Sequence, residues 1–217
     1  MEYGLLKEDA KVKLSGNWPK AAVVTFIIWL LTDAFTQEAF IKFGSSGSTT
    51  VNPTSGIFNI IGLIVAGPLA IGAVYFYMKL ESGEEANISI VFDGFQDFKR
   101  GLIFFIVSTI FVALWTLLLV VPGIIAAIRY SMGYYLMIEN PDMEPMEALR
   151  ESSELMKGNK MDFFMFALSF IGWVLLSALT LGVGFLLLVP YYQMSKLNFY
   201  RKITGDTRSG HDDFYKM

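Results

Sequence analysis

Apolar runs, cut by short stretches that hold most of the charge, dominate this 217-residue sequence. A run of roughly 20 apolar residues crosses the ~30 Å hydrocarbon core of a bilayer as a helix. Lipid offers no partner to an unpaired backbone group, so such runs have to be helical. The composition agrees: 54% of the residues are hydrophobic and 17% charged, against about 25% charged in a soluble domain. An ordinary soluble globule is excluded, and an all-α polytopic membrane helix bundle is predicted.

Six transmembrane helices are expected. The first runs from about Pro19 to Phe40 and the second from about Ile57 to Met78. The stretch from Leu102 to Ile138 is too long for one helix, and Pro122 and Gly123 in VVPGII divide it, because proline and glycine together interrupt helices. The stretch from Phe163 to Tyr200 is also double, with a turn over Thr180 to Gly184 that includes Gly182. The spans therefore read as three hairpins. Lys and Arg favour cytoplasmic loops. All of the 17 except Lys42 and Arg129 are counted with the N-terminal segment (Lys20 included), the segments after spans two and four, or the C-terminal segment from Lys196, which places both termini in the cytoplasm. The first apolar run leads into TDAFTQEAF without a small-x-small cleavage site, so span one is expected to stay as an anchor.

The chain also reads as three units, 1–80, 84–140 and 144–205, within one membrane domain over 1–205, followed by a polar cytoplasmic tail over 206–217. In each unit a cytoplasmic amphipathic segment precedes an outgoing span with a tryptophan late in its course: Trp29, Trp115 and Trp173. A Gly-Asn pair recurs at Gly16-Asn17 and Gly158-Asn159, with Gly101 in the middle unit. Ile88, Val91, Phe92, Phe95 and Phe98 share one helical face, as do Met146, Leu149, Ser153 and Met156. Such helices lie in the membrane interface.

The blocks GNWPKA, LWTLLLVVPGII, IRYSMGYYLMIENP, EALRESSELMKGNK, FFMFALSFIGW and LVPYYQMSKLNFYRKI, in this order, resemble the bacterial integral membrane family catalogued as domain of unknown function 975. The chain is also distantly similar to the six-span membrane domains attached to some glycerophosphodiester phosphodiesterases. The family resemblance implies a bacterial plasma-membrane location and a six-helix fold, and it carries no activity.

Little in the sequence could perform covalent chemistry. With no cysteine there is no thiolate metal site or cysteine nucleophile. The single histidine, His211, stands in the polar tail beside Asp212 and Asp213. No phosphate-binding or dinucleotide-binding glycine motif occurs, and a net charge of -3 lacks the basic surplus of a nucleic-acid binder. The expectation is no enzyme, no cofactor, no metal and no nucleic acid. The bilayer is the expected partner, with a membrane or cytoplasmic protein as a candidate second one.

Two functional readings stay open. The first is a non-catalytic scaffold, assembly or regulatory component; the second is a small transporter or lipid-handling protein with a polar intramembrane cleft. Ionisable groups within spans are costly and usually partnered. Asp33 and Arg129 are the two that the segmentation leaves there, each roughly 9 Å below the outer boundary at 1.5 Å per residue. They are expected to face each other, with Tyr130 and Tyr134 nearby, as a structural pair or as the lining of a cleft.

Overall fold

The computed structural model describes residues 2–33 and 53–205, with side chains over 3–32 and 61–205. The described chain is helical throughout and contains no strand. The tail over 206–217 and the loop that holds Lys42 lie outside the described residues.

Helix α1 (Glu2–Leu14) buries Leu6, Ala10 and Leu14, a four-residue spacing that lays one stripe against the bundle. The chain then bends by 98° into α2 (Trp18–Asp33). The bend uses Gly16 at φ 79°, and Gly158 makes the same left-handed turn at φ 83°, where a Cβ would strain the backbone. Gly101, the middle counterpart, instead lies inside a helix.

The remaining elements are α3 (Pro53–Glu81), α4 (Ile90–Asp93), α5 (Phe98–Leu118), α6 (Val120–Tyr130), α7 (Gly133–Glu139), α8 (Pro145–Leu155), α9 (Lys160–Leu168), α10 (Ile171–Leu179) and α11 (Phe185–Thr204). Four segments are long and apolar enough to cross a membrane: Ile61–Glu81, Phe98–Leu118, Val120–Glu139 and Lys160–Leu179. A fifth arises if α1 and α2 are taken together as one bent span. Helix α2, with 16 residues, is short on its own. Helix α11 has 20 residues but carries Lys196, Arg201 and Lys202, which lower its hydropathy.

The reversal between α5 and α6 falls at Leu119, which is extended (φ -161°, ψ 145°), and not at Pro122 and Gly123. Pro122 sits in the first turn of α6, where its missing N–H is unneeded. Gly123 serves packing: a Cβ there would lie 2.1 Å from Thr116 Oγ1. The second turn runs over Thr180 to Gly184, with Gly182 at φ 90° and Gly184 preceding α11.

The amphipathic segments also differ from expectation. Only Ile90–Asp93 of the middle one is regular helix, followed by turns on which Phe92, Phe95 and Phe98 stack at 6.4 Å. In α8 the buried residues are Ala148, Leu149 and Ser152, continued by Met156, while Met146 is exposed. The face is rotated because Ser152 makes polar contacts that Ser153 was not expected to need.

Helix α11 is central, burying Tyr191, Met194, Leu197, Phe199 and Tyr200 against α1, α2, α3 and α10. The surface is strongly segregated. Leu117 is 87% and Leu181 97% exposed at the two reversals, an apolar display suited to lipid. A buried ionic network closes the opposite end. Arg201 Nε donates to Glu81 Oε2 at 2.9 Å and its Nη1 donates to Glu139, while the Tyr200 hydroxyl donates to the second Glu139 oxygen. Lys13 of α1 joins through Glu81 at 3.3 Å, Asp9 at 2.9 Å and Asn198 at 2.9 Å. Burial opposes the Arg201 charge, and the carboxylates of Glu81 and Glu139 compensate it.

Candidate functional site

Two of the apolar segments are interrupted, and each interruption is closed from outside its own helix. Between α6 and α7 the helix breaks at Ser131 and Met132. The Ser152 hydroxyl of α8 accepts from the Met132 N–H at 3.2 Å and donates to the Arg129 carbonyl at 2.8 Å. Between α9 and α10 the break falls at Ser169 and Phe170, and Lys7 Nζ donates to the Ser169 carbonyl at 2.8 Å. Broken backbone at membrane depth needs such partners, and it tends to mark binding sites.

The first break borders two clefts. One is a chamber of about 710 Å³ between α2, α3 and α11, mostly apolar, with small residues at Ala66, Ala70 and Ala73 along α3. Its polar lining comes from Thr25, Thr32, Tyr77, Tyr134, Gln193 and Lys196. The other, about 650 Å³, lies between α5, α6 and α7. Hydroxyls of Ser108, Thr109, Thr116, Tyr130, Ser131 and Tyr134 line it. Tyr134 and Lys196 belong to both walls.

Lys196 is the decisive group. The sequence counts it with the cytoplasmic cations, yet it lies within α11, eight residues before the helix end at Thr204 and so roughly 12 Å from it. Its Nζ stands 5.5 Å from the Tyr135 ring centroid, and no carboxylate lies within 4.0 Å of it among the described residues. The buried Tyr134 hydroxyl also lacks a hydrogen-bond partner, although the ring is held 4.5 Å from that of Phe104. An unpaired cation beside an unsatisfied hydroxyl is costly in apolar surroundings. Both groups are suited to an anion.

The expected constellation of Asp33, Arg129, Tyr130 and Tyr134 is brought together in part. Tyr130 and Tyr134 share the hydroxyl-lined cleft. Arg129 lies nine residues past Val120, roughly 14 Å from the reversal, deeper than the sequence suggested because the turn comes earlier. Its Nε is buried without a hydrogen-bond partner. Asp33 ends α2, and its side chain lies outside the described residues. Sequence reading missed Lys196 and the Glu81–Arg201–Glu139 network. The pattern Gln193, Lys196 and Tyr200, at helical spacing in a helix that buries both of its flanks, was the signal for a cation facing inward. Among the described residues no cluster of acidic, histidine or cysteine side chains could hold a metal.

Residues 116–207, which begin inside α5 and include α6 to α11, match the model of a family described as "Protein of unknown function (DUF975)". The match bears out the resemblance over that part of the chain, and the GNWPKA block lies outside it. No curated protein and no solved structure matches the chain.

Proposed function

We propose that this is a non-catalytic, six-span protein of the bacterial plasma membrane, with both termini cytoplasmic, that binds an anionic amphiphile in the paired clefts around Lys196. The observation that carries the reading is the position of the Lys196 ammonium. It borders two mostly apolar clefts, the second also edged by the hydroxyls of Tyr130, Ser131 and Tyr134, and among the described residues no carboxylate lies within 4.0 Å of it. A ligand with a negatively charged head and an apolar tail satisfies both walls at once: the head at Lys196 and Tyr134, the tail beside Ala66, Ala70 and Ala73. Of the two classes left open by the sequence, this is the lipid-handling or transport class. The six spans are the four apolar segments together with α2 and α11, and the ionic network marks the cytoplasmic end.

The test is mass spectrometry of what the detergent-purified protein retains, compared with Lys196→Met. A stoichiometric acidic lipid or lipid-like solute on the wild type, with one equivalent of it lost from the variant, is the expected result. An identical lipid complement on both proteins ends the proposal. A stoichiometric protein partner in place of the lipid favours the scaffold or regulatory reading.

A further inference from the structure

A third cavity lies on the opposite face of α11 and is independent of the Lys196 clefts. It is a groove of about 440 Å³ between α10 and α11, walled by Leu176, Leu187 and Leu188. At one end stand Lys11, Trp18, Trp173 and Tyr191; from Tyr191 to Gly184 the groove follows roughly 10 Å of α11.

The charged end is built by α1, which crosses the bundle there. Lys11 Nζ lies 5.6 Å from the Tyr191 ring centroid. One turn earlier, Lys7 Nζ lies 4.1 Å from the centre of the Phe170 ring while bonding the Ser169 carbonyl. Among the described residues neither lysine has a carboxylate within 4.0 Å, Glu8 on the same helix included. Burial, and then the neighbouring charge of Lys11, hold the Lys7 ammonium below the usual lysine range. Two cations thus stand one helical turn apart with no ion-paired carboxylate among the described residues. Tryptophans flank the charged end, as they do where a protein meets lipid headgroups.

We propose that this groove is a binding site for an anionic phospholipid of the leaflet that α1 faces, its phosphate held at Lys11 and Lys7 between Trp18 and Trp173, and one acyl chain along Leu176, Leu187 and Leu188. The apolar length of the groove commits it to a lipid over a free phosphate. Because α1 also closes the ionic network through Lys13, the lipid fastens α1 to the bundle. Bound there, it couples the charge of the leaflet to the position of the N-terminal helix.

The native tryptophans permit a direct test. The chain has four: Trp18 and Trp173 line the groove, Trp29 lines the Lys196 chamber, and Trp115 lines neither. In the Trp29→Phe, Trp115→Phe protein the groove pair alone reports. Vesicles of phosphatidylcholine would carry a minor fraction of brominated phosphatidylglycerol or of brominated phosphatidylcholine. The brominated anionic lipid should quench with roughly fivefold higher apparent affinity than the zwitterionic one. Lys11→Gln should abolish the difference; Lys7 is left in place because it supports the α9–α10 break. Equal quenching by the two lipids, a preference that survives Lys11→Gln, or relief of quenching by inorganic phosphate overturns the proposal. Lys196→Met should leave this preference unchanged, and a protein that keeps only Trp29 reports on the chamber. Failure at the groove and failure at the chamber are therefore read separately.

Discussion

Arg201 and Glu81, 120 residues apart in sequence, meet at 2.9 Å with side chains only 9% and 3% exposed. Glu139 completes the contact from a third helix. The three residues occupy comparable places: Glu81 closes α3, Glu139 closes α7 and Arg201 stands in the last turn of α11. One guanidinium thereby ties α3, α7 and α11 together, and Lys13 adds α1. Removing one member strands charges that the others have desolvated.

Arg201→Met is accordingly expected to cost about 3–5 kcal/mol, a drop on the order of 10 °C in melting temperature for a chain of this size. Glu81→Gln should cost less, since the amide still accepts from Arg201 and leaves Glu139 in place. Thermal unfolding in detergent measures both. An Arg201→Met protein that melts with the wild type would show that the network adds nothing to stability.

At the α5–α6 reversal, the close approach of Gly123 to Thr116 makes Gly123→Ala an overpacking substitution. It is expected to destabilise by about 1–3 kcal/mol. Thr116→Ala removes the nearest atom, so the double variant should recover part of the loss. A Gly123→Ala protein as stable as the wild type would contradict the contact.

The Lys196 clefts carry a stability signature of their own. An unpaired ammonium among apolar walls destabilises the empty protein, and binding sites commonly trade stability for function. In delipidated detergent solution Lys196→Met should therefore raise the melting temperature, while the gain should shrink when an acidic amphiphile is added back to both proteins. A variant less stable than the wild type in the absence of lipid would show that Lys196 is a structural cation with a partner.

Much of the architecture was legible in the sequence, because apolar runs and punctuation act locally. The helices over 61–81, 98–118 and 160–179 follow from such runs, and the turn at Thr180 to Gly184 follows from its glycines. Pro122 and Gly123 misplaced the other reversal by three residues, since a proline in a first helical turn looks the same in sequence as one that ends a helix. Lys196 was harder. Its meaning depends on which face of α11 turns inward, and that is decided by α2 and α3 packing against it from more than a hundred residues away. The Arg201 network was hidden for the same reason: a lysine, an arginine and two glutamates near helix ends also describe a solvated surface.

Membrane orientation gives the last prediction, and the absence of native cysteine makes it accessible. Six spans with both termini inside require the segment between the first two spans to be external and the segment around α8 and α9 to be cytoplasmic. Ser46 stands in the first segment by sequence. Lys157 stands in the second, 65% exposed at its side chain. In a cysteine-free background, Ser46→Cys should label with an impermeant thiol reagent added to intact cells. Lys157→Cys should label only after the membrane is opened. The Lys and Arg distribution motivates this assignment, and the clustering of Arg201, Glu81, Glu139 and Lys13 at one end of the bundle agrees with it, because a buried ionic network is less costly near the aqueous boundary than at the bilayer centre. Labelling of both positions from outside would place an even number of spans between Ser46 and Lys157, where the six-span arrangement needs three, and that arrangement would have to be abandoned.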